Sequence, residues 1–80
     1  MKLPVIKQLV ELYTLEQLQQ AEEQLLNEQP IAIEVDGDDE GEQLTHILGA
    51  IDVLERVKND NKDKSTALRE FFQRVRNSIS

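Results

Sequence analysis

Apolar residues recur at helical spacing along nearly the whole chain, and one alternating stretch interrupts them. From Pro4 to about Leu12, Val5, Leu9, Leu12 and Tyr13 share one side, widened by Ile6 and Val10, with Lys7, Gln8 and Glu11 opposite. Proline suits a first helical turn, where its missing N–H would be unpaired anyway. Thr14 reads as a cap: its hydroxyl can accept from the Gln17 N–H while the Gln17 side chain reaches back. A second helix is expected over 15–28, with Leu15, Leu18, Ala21, Leu25 and Leu26 as its stripe. Pro30 is expected to end it.

Residues 31–35 alternate in the period of a strand. A lone strand cannot satisfy its backbone, so the segment must pair or lie extended with Ile31, Ile33 and Val35 plugged into the helices. A third helix is expected to start near Glu40 or Glu42 and to run to about Lys58. Leu44, Ile47, Leu48, Ile51 and Leu54 form its main stripe, and Ala50, Val53 and Val57, with His46, form a second strip beside it. Together they cover more than half the circumference, which places the helix at the centre of the fold or against another chain. Asn59 to Lys64 reads as a polar loop, and Ser65 or Asp63 as the cap of a fourth helix over 65–78. Leu68, Phe71, Phe72, Val75 and Ile79 form its inner face, with Arg69, Gln73 and Arg76 along one edge.

The pattern predicts a mainly α fold: one domain over residues 1–80, a compact four-helix bundle with a short extended, β-like segment at 31–35. Eighty residues bury a modest core. With no cysteine, disulfides and thiolate zinc sites are excluded, which fits a reducing compartment. Lys2 and Lys7 bracket only four apolar or proline residues, so the start does not read as a signal peptide, and no apolar run is long enough to span a bilayer. A cytoplasmic location is expected.

Charge divides the chain unevenly. Residues 1–55 carry 13 acids and 2 bases, whereas residues 56–80 carry 3 acids and 7 bases. The acidic body argues against nucleic acid and anionic lipid, both bound through neutralised phosphates. The basic quarter could face the acidic segment in the same chain or in another copy. Six of the nine residues of the run EVDGDDEGE, 34–42, are acidic. Asp36, Asp38, Glu40 and Gly41 match the first half of a calcium loop, so Asp36, Asp38 and Glu40 are the candidate metal ligands. The bidentate glutamate that should follow is Ile47. A solvated turn that opens a helix is the simpler reading. Asn59, Asn61, Asp63 and Glu70 echo the pattern more weakly, with Lys64 at the glycine position.

His46 is the single histidine, with no cysteine, and no serine close in sequence, to activate. An imidazole near Asp39, Glu42 or Glu11 could transfer protons, but packing is the commoner role. Tyr13, Phe71 and Phe72 read as core. No catalytic residue and no cofactor is expected.

MKLPVIKQLVELYT, VDGDDEGEQLTHILGAI and TALREFFQRVR together resemble a family of small acidic bacterial proteins known only as a domain of unknown function. The resemblance implies a stand-alone cytoplasmic protein and brings no site residues, cofactor or partner. The expected function is a non-enzymatic protein–protein interaction module, or a homodimer built on Ile31, Ile33, Val35, Ala50, Val53 and Val57. Weak divalent-cation binding by residues 36–42 is one alternative. Mimicry of nucleic acid toward a basic protein partner is another.

Overall fold

The computed structural model describes residues 1–79, the last by its backbone alone, so the expected inner-face role of the Ile79 side chain lies outside the described residues. Four helices follow in order: α1 (Leu3–Leu12), α2 (Leu15–Leu26), α3 (Glu40–Asn59) and α4 (Lys64–Ile79). The fold is mainly α, and no strand occurs among the described residues.

Local chemistry sets most of the boundaries. Pro4 lies in the first turn of α1. The Thr14–Gln17 capping box forms at the head of α2, and Gln17 Oε1 accepts from the Thr14 N–H at 2.9 Å. Asp39 caps α3 by accepting from the Glu42 N–H at 2.8 Å. Asp63, not Ser65, caps α4: its Oδ1 accepts from the Thr66 N–H at 2.7 Å. The end of α2 differs from the proline stop. The helix closes at Leu26, four residues before Pro30, because Glu28 turns left-handed with φ 57°. The Gln29 N–H then reaches the Gln24 carbonyl and the Glu28 N–H the Leu25 carbonyl. That is the Schellman arrangement, which satisfies orphan carbonyls and usually recruits glycine at the position Glu28 holds.

Helix α3 packs against all three others, α1 also meets α4, and α2 packs on α3 alone. The result is one helix enclosed by its neighbours in a body of 32 × 29 × 17 Å. The enclosure covers both α3 strips, each incompletely. His46, Ala50 and Val53, from the second strip, are fully buried along with Ile47, whereas Leu48 of the main stripe is 44% exposed. On α1, Ile6 and Val10 centre the buried face and Leu12 is 61% exposed; on α2, Leu26 is 64% exposed. These three leucines lie at stripe edges that no neighbouring helix covers.

Residues 31–35 take the plug arrangement. Val35 is buried, and Ile31 and Ile33 pack against the core from partly buried positions. Side chains, not a second strand, satisfy the backbone. Gln24 Oε1 accepts from the Ala32 N–H, the Tyr13 hydroxyl from the Glu34 N–H, and Gln43 Nε2 donates to the Val35 carbonyl.

At Gly49, α1 and α4 converge closely on α3. A methyl there would lie 2.8 Å from Ile6 Cδ1 and 3.1 Å from Phe71 Cζ. Gly49→Ala sets a helix-propensity gain of about 1 kcal/mol against overpacking of about 1–3 kcal/mol. Ile6→Val removes the Cδ1 atom that the new methyl would meet. The two changes are therefore expected to couple favourably in urea denaturation, by about 0.5 kcal/mol or more. Strict additivity would show that α1 does not press on Gly49.

Candidate functional site

Two places carry more chemistry than packing requires: the acidic loop with His46, and the open seam between α1 and α4.

The carboxylates of the acidic loop are used locally. Asp39 caps α3, Glu42 accepts from the Asp38 N–H at 3.1 Å, and the Glu40 and Glu42 charges sit in the first turn of α3, at the positive end of its dipole. Gly37 lies so close to the start of α3 that a methyl would fall 2.7 Å from Gln43 Cγ and 2.8 Å from the Gln43 backbone nitrogen. Among the described residues, no three histidine or carboxylate side chains gather in a group that could hold a metal ion, so Asp36, Asp38 and Glu40 are not drawn together as one.

His46 is fully buried, and backbone groups hold both of its ring nitrogens. The Lys2 N–H donates to Nε2 at 2.8 Å, and Nδ1 lies 2.8 Å from the Asp36 carbonyl. A carbonyl only accepts, so Nδ1 carries the proton and Nε2 is the free lone pair. The imidazole faces neither solvent nor a carboxylate. It joins the chain start, the acidic loop and α3.

The expected interface residues lie within the chain's own core. Ala50 and Val53 are fully buried, Val35 is buried, and Ile31, Ile33 and Val57 pack against the core. The wide apolar arc and the extended segment, which motivate a dimer on these residues, are covered in large part inside one chain, with Leu48 left 44% exposed.

Among the described residues, the ion pairs of the basic C-terminal quarter run to Asp52, Asp60 and Glu70, not to the acidic loop. Asp52 takes Arg74 at 2.9 Å and Arg56 at 3.5 Å, and Lys62 pairs with Glu70 and Asp60. At 3.5 Å, Arg56 Nε gains charge attraction but no hydrogen bond, and it is buried without another partner. Arg74 also lies over the Phe71 ring, 5.6 Å from its centroid, and Phe71 meets Phe72 edge-on. These contacts seal α4 onto α3.

The opposite edge of α4 is open. A groove of about 520 Å³ separates it from α1. Leu68 and the half-buried Phe72 form its apolar floor, and Ser65 adds a hydroxyl. Lys64, Arg69 and Arg76 rise from α4, and α1 contributes Lys7 with Glu11 one turn on. No described carboxylate forms an ion pair with any of these four cations. The sequence placed Arg69 and Arg76 on one edge. Lys7 and Lys64 were missed, because only the α1–α4 contact brings residue 7 beside the fourth helix.

Replacing His46 with phenylalanine keeps a ring in place but strands the Lys2 N–H and the Asp36 carbonyl. His46→Phe is expected to lose about 2 kcal/mol or more in urea denaturation; unchanged stability would show that neither bond matters. A second expectation concerns acid. The Thr66 backbone N–H, then the Thr66 hydroxyl, hold the Asp63 carboxyl below its ordinary value, with Arg69 adding to the effect. Lys62, chiefly through its hydrogen bond, does the same for Glu70. A depressed folded value means a contribution present above the ordinary carboxylate range and lost as pH falls through the depressed value. The Thr66 amide should therefore lose exchange protection in that acidic window, and Asp63→Asn should remove the step.

Among the described residues, no helix is long and apolar enough to cross a membrane. No curated protein and no solved structure matches this chain. The family of unknown function DUF6952 matches residues 1–80, the full span of the sequence, and the chain belongs to that family.

Proposed function

We propose that the chain is a cytoplasmic, non-enzymatic interaction module that recognises an acidic partner surface in the groove between α1 and α4. The observation that carries this reading is the set of four cations, Lys7, Lys64, Arg69 and Arg76, which stand around the floor of Leu68 and Phe72 and form no ion pair among the described residues, Arg76 bonding only the Phe72 carbonyl. A protein of net charge −7 has carboxylates to spare, yet among the described lining residues four cations face one carboxylate, Glu11. A concave apolar floor with an excess of positive charge around it suits an acidic ligand. The full burial of His46 and its two backbone bonds support a non-enzymatic role. The lack of cysteine fits a reducing compartment.

The test is a titration with a poly-glutamate peptide followed by amide NMR, with poly-glutamine of the same length as control. Shifts are expected at Lys7, Lys64, Arg69, Phe72 and Arg76 with the acidic peptide alone. Arg69→Glu combined with Arg76→Glu should weaken binding about tenfold or more. Shifts scattered over the surface, or equal shifts with both peptides, would sink the reading.

A further inference from the structure

The groove's charges lie on helical positions, and their spacing bears on what could fill it. Arg69 and Arg76 are both exposed and seven residues apart on α4. Two turns of helix separate them by roughly 10.5 Å along the axis. The chain contains a helix with the complementary pattern. On α2, Glu16 and Glu23 are also exposed and seven residues apart, with exposed Gln19 and Gln20 between them. Leu26, on the same side one turn further on, is 64% exposed. Helix α2 carries no basic residue, and none of its carboxylates forms an ion pair among the described residues.

Within one molecule the two faces do not meet. Helix α2 packs on α3 alone, whereas the groove is walled by α1 and α4. We infer that the groove takes the outer face of α2 from a second copy of this chain, with Glu16 and Glu23 set against Arg69 and Arg76. The inference rests on the reading of the groove as an acceptor of acidic surface, and it names the occupant. Exchange of the two faces about a two-fold axis would make the contact twice and close the assembly at a dimer. This interface shares no residue with one built on Ala50, Val53 and residues 31–35.

Salt acts on the contact in two directions. Each copy carries a net charge of −7, so the bodies repel when unscreened. At about 0.15 M salt the screening length is about 8 Å, which damps the repulsion between bodies but spares pairs in contact; at about 1 M it is about 3 Å and the contact weakens too. Association should therefore be strongest at moderate ionic strength.

The experiment is sedimentation equilibrium on the full chain at both salt levels, over a wide concentration range. The mass is expected to rise from 9.2 kDa toward twice that value at moderate salt and to fall back at high salt. Arg69→Glu with Arg76→Glu, and separately Glu16→Arg with Glu23→Arg, should each remain monomeric. All four side chains are exposed, and circular dichroism checks that each variant stays folded. Mixing the two variants restores both sets of opposite charges, so the mixture should associate at least tenfold more tightly than either alone. Wild type that stays at 9.2 kDa throughout would overturn the second copy as occupant, while the peptide titration would still decide the groove itself. Association that ignores the reversals, or fails to return on mixing, would place the contact elsewhere and overturn the inference.

Discussion

An 80-residue chain with no cross-link must enclose a 20-residue helix that is apolar around most of its circumference, and the rest of the structure follows from that demand. One neighbour covers only an arc of such a helix, so α1, α2 and α4 each take a side and residues 31–35 cover part of what remains. Enclosure works only if the neighbours come close. Gly49 supplies one such point, where Ile6 and Phe71 approach from two helices at once. A small domain buries a limited share of its surface, and three thin covers around one helix explain both the flattened shape and the leucines left at stripe edges.

The same helix explains much of the charge asymmetry. Acids cluster where α3 begins, at Asp39, Glu40 and Glu42, and bases where it ends, at Arg56 and Lys58. Both placements complement the helix dipole. Asp39 and Glu42 go further and bond backbone N–H groups at the helix head. The acidic run is therefore largely accounted for by the entrance of α3. Asp52, Asp60 and Glu70 account for Arg56, Lys62 and Arg74. On the α1–α4 seam, Arg76 sits in the last turn of α4 and Arg69 acts on Asp63, whereas Lys7 and Lys64 are tied to no carboxylate by an ion pair among the described residues.

What could be read from the chain follows the range of the interaction. The capping box at Thr14, the proline in α1 and the Asp63 cap act over three or four residues, so their partners are visible in the string. Four helices and an alternating segment were legible because period is a local property. Which edge of each stripe would be covered was not, since Leu12, Leu26 and Leu48 differ from their buried neighbours only in what lies opposite. The end of α2 was placed at the proline, yet Glu28 had already turned the chain, and a glutamate gives no signal for a left-handed residue. The partners of His46 are backbone groups 44 and 10 residues away, with no side chain to advertise them. The groove required knowing that α1 lies beside α4.

The two bonds of His46 tie the start of the chain to the acidic loop through a single ring. Closing a span of that length costs entropy that no local turn recovers, and the packing of α1 on α3 is what brings residue 2 to the ring. Once closed, it makes two surface segments one cooperative unit. Detaching residue 2 frees the lone pair that orients the ring, and the ring's grip on Asp36 weakens with it. One ring thus couples residue 2 to the entrance of the central helix, 34 residues away along the chain.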